Sequence, residues 1–197
     1  MSAIDLIYGF KLPKGGINRI LVLLLMMIGS FLIIPLIWWL GYVADVLNSA
    51  IKNEKDLPNF KFSRQMKLGL VVIGLEIFYL FIPFFVLGII EFFKELSFWI
   101  DIILLAVILF ILPVVISNYL TKKGAFNFSE HFSIVKKNTK GFFGVYSLFL
   151  LFEILFVFAQ YTNIVNLGLL MILALLLLPY LMVVFARLYG FVYRQAK

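Results

Sequence analysis

Hydrophobic residues gather into five long runs, Ile20 to Leu40, Leu68 to Ile90, Ile102 to Leu120, Phe142 to Ala159 and Ile164 to Ala186, while charged residues concentrate in the connectors. Each run is close to the ~20 residues that an α-helix needs to cross a hydrocarbon core of about 30 Å. Lipid offers bare backbone no hydrogen-bond partner, so a spanning segment must be a helix or part of a closed barrel, and unbroken apolar runs without alternation exclude the barrel. The pattern predicts an all-α, polytopic transmembrane bundle of about five spans, with residues 1–197 forming a single integral membrane domain and amphipathic segments at the interface.

Composition agrees with that reading. With 64% hydrophobic and 18% aromatic residues and a mean hydropathy of +1.10, a water-soluble fold would need a core larger than 197 residues can enclose. The absence of cysteine removes disulfides, thiolate metal sites and cysteine nucleophiles together. The first run is about twice the length of a signal-peptide core and no A-x-A-like site follows it, so it is expected to remain in the mature chain.

Charge orders the topology. Three Lys or Arg precede the first run, five lie in Gly41 to Lys67, one in Glu91 to Asp101, five in Thr121 to Gly141, none in Gln160 to Asn163, and three follow from Arg187. Alternate segments therefore carry 13 against 4, which puts the two long basic loops and the C-terminus in the cytoplasm and the N-terminus outside, in a multi-pass protein of the cell membrane. Lys11, Lys14 and Arg19 run against this assignment. The alternative is a first run that forms a re-entrant hairpin broken near Gly29 and Pro35, with both termini cytoplasmic. The net charge of +7 is explained by topology and anionic headgroups, with no call for nucleic acid as a partner.

A repeat also runs through the pattern. Phe60-Lys61-Phe62-Ser63 and Phe126-Asn127-Phe128-Ser129 each lead towards a run with a central acid, Glu76 or Glu153. The first, third and fifth runs carry an apolar-Pro-apolar step at Pro35, Pro113 and Pro179, with Tyr42 and Tyr119 following the first two. This reads as a parallel tandem unit used twice and followed by half a unit; enrichment in Phe and Leu is the competing explanation. Ser129 to Lys140 would be an inserted interfacial helix, with Ser129 as a cap, Phe132 and Val135 on one face, and Lys136, Lys137 and Lys140 at its end. Asp56-Leu57-Pro58 forms the turn of the shorter loop.

Glu76 and Glu153 are the ionisable residues well inside the runs, and a charged acid at mid-membrane costs about 2.5–3.5 kcal/mol even on the mildest scales. They are the candidate intramembrane polar site, either as a proton-exchanging or cation-handling pair or as protonated acids bridging helices. Lys61, Arg64, Lys67, Lys136, Lys137 and Lys140 are the candidate contacts to lipid headgroups or to a partner. Ser30, Ser117, Asn118, Ser147, Asn163 and Asn166 lie mostly near run ends, where water is available, and Asp45, Glu91 and Asp101 are expected to be solvated there. His131 has no second histidine or paired acid at ligand spacing, so no metal site is expected. Trp38, Trp39 and Trp99 read as interfacial belts. No catalytic or cofactor fingerprint occurs, so neither an enzyme nor a bound cofactor is expected.

The order Gly41-Tyr42, amphipathic Val43 to Ile51 with Asn48, Asp56-Leu57-Pro58 and Gly69, followed by Tyr119, Gly124, Phe126 and Phe128, resembles a prokaryotic membrane-protein family, the domain of unknown function numbered 4013. Asn59 to Arg64 departs from that family's acidic, Trp-containing stretch. The resemblance implies an integral membrane protein of several helices and lends it no activity. The expected function is therefore non-enzymatic and exerted through protein or lipid partners, as an accessory, envelope-organising or immunity-type protein. The alternative is a small transporter or permease component using Glu76 and Glu153.

Overall fold

The computed structural model describes residue 10, residues 16–29, 33–81, 85, 110–122, 124–161 and 167–197, and of these the side chains at 27, 28, 80, 81, 152–161 and 167–176 lie outside the description. Among the described residues the chain is all-helical, with no strand. The helices are α1 (Gly16–Ile28), α2 (Ile33–Ile51), α3 (Phe62–Glu76), α4 (Phe110–Leu120), α5 (Phe128–Lys137), α6 (Thr139–Tyr161) and α7 (Leu167–Ala196), and α3 runs on into a π-helical turn, Ile77–Phe81.

The first apolar run is not one helix. It contributes to α1, which ends at Ile28, and to α2, which begins at Ile33, with Pro35 in the first turn of α2, where the missing N–H costs no helical bond; residues 30–32 lie outside the described residues. The Arg19 guanidinium, at the start of α1, donates to the Leu57 and Pro58 carbonyls and to Asn59 Oδ1, just beyond the end of α2. The two helices therefore form a hairpin, and a single span over 20–40 is corrected to the broken form. Its chain reversal brings Arg19 to the loop that carries Lys61 and Arg64.

Helix α2 is the centre of the bundle, packed along α3 on one side and α7 on another. Two glycines set the α2–α3 distance. A Cβ at Gly41 would lie 2.6 Å from the Gln65 carbonyl carbon and 2.8 Å from the Gly69 nitrogen, and one at Gly69 would lie 2.7 Å from the Ile37 carbonyl carbon. Backbone thus touches backbone, as small residues permit where helices cross closely. Because Gly41 meets Gln65 while Ile37 meets Gly69, the pair is antiparallel. At Gly190 the C-terminal halves of α2 and α7 meet, with Ala50 and Leu47 against it.

Helix α2 closes with a left-handed Asn53 (φ 64°), whose N–H donates to the Ala50 carbonyl while Glu54 N–H donates to Ser49, the bonds of a Schellman end. Helix α5 is capped by Asn127, whose side chain accepts from Glu130 N–H at 3.2 Å, and Ser129 instead donates to Asn127 Oδ1. The cap therefore lies two residues earlier than expected. The face turns with it: His131 and Ile134 are buried while Phe132 is 68% exposed. Helix α7 runs to Ala196 rather than ending near 186, so Arg187 and Arg194 belong to it.

Two helical stretches, Ile33–Ile51 and Leu177–Ala196, are long and apolar enough among the described residues to cross a membrane. Parts of the runs 68–90, 102–120 and 164–186 lie outside the described residues. The two Phe-x-Phe-Ser segments do not pack alike. Phe60 sits on Tyr42 and Trp38, whereas Phe126 and Phe128 sit on Tyr79, and Tyr42 is fully buried where Tyr119 is 41% exposed. The insertion of α5 between Phe128 and α6 gives the second segment different neighbours.

Candidate functional site

The end of α2, the starts of α1 and α3, the end of α4, the α5–α6 junction and the end of α7 converge on one rim. Thr121 Oγ1 and the Tyr193 hydroxyl lie 2.9 Å apart, and Asn138 Nδ2 donates to the Val192 carbonyl at 3.2 Å and to Gln195 Oε1 at 3.3 Å. Two buried polar networks fix this rim.

The first joins α2, α3 and their loop. Asp45, placed by sequence among solvated end residues, is 1% exposed and accepts from Arg64 and, at 3.3 Å, from Gln65 Nε2. Gln65 is fully buried; its amide also donates to the Asn59 carbonyl, and its Oε1 accepts from Trp38 Nε1 at 2.8 Å and from Lys61 N–H at 3.0 Å. Trp38 is thereby a structural donor more than a belt residue, and Trp39 is buried in the core. The Tyr42 hydroxyl donates to the Pro58 carbonyl, so the Asp56-Leu57-Pro58 turn is held from α1 and α2 at once.

The second network joins α4, α5, α7 and the π-helical turn. The Tyr79 hydroxyl donates to the Ala125 carbonyl at 2.7 Å, and His131 Nε2 reaches the same oxygen at 2.9 Å. A carbonyl only accepts, so Nε2 carries the proton and Nδ1 accepts from Asn118 Nδ2. Asn118 Oδ1 in turn accepts from Tyr193. Ser117 and Asn118 are fully buried, not water-accessible, and His131 is a network centre whose partners come from three separate segments. Sequence spacing carried no sign of it. Among the described residues no group of three metal-ligating side chains occurs.

Against this frame stands an open cleft of about 1090 Å³ between α3 and the connector after α4. Lys61, Arg64, Lys67 and Lys122 line it together with Phe62, Leu68, Val71, Tyr119 and Leu120. Three of those cations are among the six expected headgroup or partner contacts; Lys136, Lys137 and Lys140 are exposed on α5 and α6 and do not line it. Lys122 was missed, since only the fold brings the turn after α4 beside α3. Its backbone is left-handed (φ 61°), a conformation that costs a non-glycine residue about 1–2 kcal/mol.

Whether the two acids meet lies outside the described residues. Glu76 lines an apolar cavity inside the bundle. Glu153 belongs to α6, and its side chain lies outside the described residues, as do Ser30, Glu91, Trp99, Asp101, Asn163 and Asn166.

These features define an all-helical protein with a basic rim clamped by buried polar networks. The family described as "Protein of unknown function (DUF4013)" matches residues 20–167, and the chain belongs to it. No curated protein and no solved structure matches the chain.

Proposed function

We propose that this is a multi-pass protein of the cell membrane that acts without catalysis of its own, by engaging anionic lipid headgroups at its basic rim. The cleft of Lys61, Arg64, Lys67 and Lys122 over an apolar floor carries this reading. A phospholipid offers the matching pair of features, a charged phosphate and an apolar body. Each Lys or Arg near an anionic surface contributes about 1 kcal/mol. A lysine held in a strained backbone beside the cleft is better explained by a charge that has to be there than by folding.

Membrane residence is supported by α2 and by Leu177–Ala196, by the 23 residues of α6, which reach about 34 Å at ~1.5 Å per residue, and by large apolar side chains left on the outside, among them Leu25, Ile33, Leu70 and Leu177. Exposed Phe62, Phe126, Phe128 and Phe132 on the rim suit the headgroup level. The rim faces the cytoplasm by its excess of Lys and Arg, and the α1–α2 hairpin brings Arg19 into line with that rule. Lys136, Lys137 and Lys140 extend the basic surface to a partner or to the bilayer itself.

Native mass spectrometry of the full chain, released from nanodiscs of equal phosphatidylglycerol and phosphatidylcholine, tests the proposal. Wild type should retain phosphatidylglycerol selectively. Lys61→Gln/Lys67→Gln/Lys122→Gln should lower that retention about 100-fold, from three losses of about 1 kcal/mol. Equal retention of both lipids, or an unaffected triple variant, would refute it.

A further inference from the structure

A partly open cavity of about 220 Å³ lies between α2, α3, α4, α6 and α7. Among the described residues its walls are aliphatic and aromatic, with rings from Tyr146, Phe149, Phe185 and Tyr189, and its lining contains one carboxyl group, Glu76, and no cationic side chain. The residue after Glu76 begins the π-helical turn, Ile77–Phe81, a local departure from regular helix that recurs at functional sites.

This combination selects an occupant. A carboxyl group facing an apolar space is held ionised where a cation meets it and is otherwise protonated. A metal ion is a poor match, because calcium takes six to eight oxygen ligands and magnesium about six. Aromatic faces favour a cation carried on carbon, as in the recognition of quaternary ammonium groups. A cavity of about 150 Å³ holds benzene, so 220 Å³ has room for one ring with a small ammonium group.

We infer that this cavity binds a monovalent organic cation with a compact apolar body, Glu76 pairing the ammonium centre and the four rings surrounding its carbon. The site is independent of the basic rim.

The test uses the full chain in phosphatidylcholine nanodiscs, free of anionic lipid, with radiolabelled benzyltrimethylammonium as the probe. Its uncharged carbon isostere, neopentylbenzene, serves as competitor. The cation should bind saturably, and the isostere should compete at least tenfold more weakly than unlabelled cation. Glu76→Gln should weaken cation binding at least tenfold while leaving affinity for the labelled isostere unchanged, which also shows that the variant is folded. Should that variant lose both ligands, the wild-type comparison of cation with isostere decides alone. Absence of saturable cation binding to wild type, equal competition by the isostere, or wild-type cation affinity in Glu76→Gln would each overturn the inference.

Discussion

Replacing Gly41 by alanine should damage the α2–α3 crossing in a calculable way. The added Cβ would stand 2.6 Å from the Gln65 carbonyl carbon, whereas carbon atoms settle at about 3.5–4.0 Å, so the two helices must part by roughly 1 Å. No side chain can rotate away to relieve it, because the opposing atoms are backbone. Overpacking of this kind costs about 3 kcal/mol at its upper range. Parting also stretches the bonds of Gln65 to Trp38 and Asp45, worth about 1 kcal/mol, while alanine returns about 1 kcal/mol of helix propensity. The net loss is about 3 kcal/mol, or a drop in Tm of about 6–12 °C at this size. Thermal unfolding in one detergent, followed by tryptophan fluorescence from Trp38 and Trp39 on α2, reads it directly. Gly69→Ala should behave alike, and the double variant should cost clearly less than the sum, since helices parted for one methyl accommodate the second. Gly74→Ala, with no atom within 4 Å of the new Cβ, should be neutral or gain up to about 1 kcal/mol. A Gly41→Ala protein melting with wild type, or strict additivity of the pair, would show that α2 and α3 do not cross at these glycines.

Three further outcomes are expected. Lys122→Gly should raise stability by about 1 kcal/mol by relieving the left-handed backbone, yet lower phosphatidylglycerol retention, whereas Lys122→Gln should lower retention without the gain. Arg64→Met should cost about 2 kcal/mol by leaving the Asp45 carboxylate buried with Gln65 alone, and adding Asp45→Asn should recover much of it in a double-mutant cycle of unfolding. Tyr193→Phe should cost about 2 kcal/mol because it strips a donor from fully buried Asn118, and Thr121→Val should cost less, since Tyr193 then still holds Asn118.

What could be read from the chain was whatever the apolar period and local punctuation encode. The helical class, the extent of α6, the turn at Asp56-Leu57-Pro58 and the weak point near Gly29 and Pro35 all follow from a few neighbouring residues. Partnerships across the fold did not. Asp45 finds Arg64 nineteen positions on, and Asn118 joins His131 to Tyr193 across 75; a polar residue near a run end looks the same whether water or another helix receives it. The face of α5 was misjudged because Asn127 and Ser129 are equally good caps by type, and which of them the helix uses decides the outcome. Lys122 carries no local mark either, since only the approach of α3 makes it part of a cleft. Three of the six expected headgroup or partner cations line that cleft because Lys61, Arg64 and Lys67 follow one another at single-turn spacing on the start of α3.

Sidedness is the most direct test of the membrane account. Without native cysteine, single cysteines at Asn18, Asn53, Asn138 and Gln195 can be challenged in intact cells with an impermeant thiol reagent. All four should be shielded from outside and become reactive after permeabilisation, because the α1–α2 hairpin returns the N-terminal helix to the basic rim. Labelling of Asn18→Cys from outside while Asn53→Cys stays shielded would contradict the hairpin and restore a single first span; labelling of all four would turn the basic rim away from the cytoplasm.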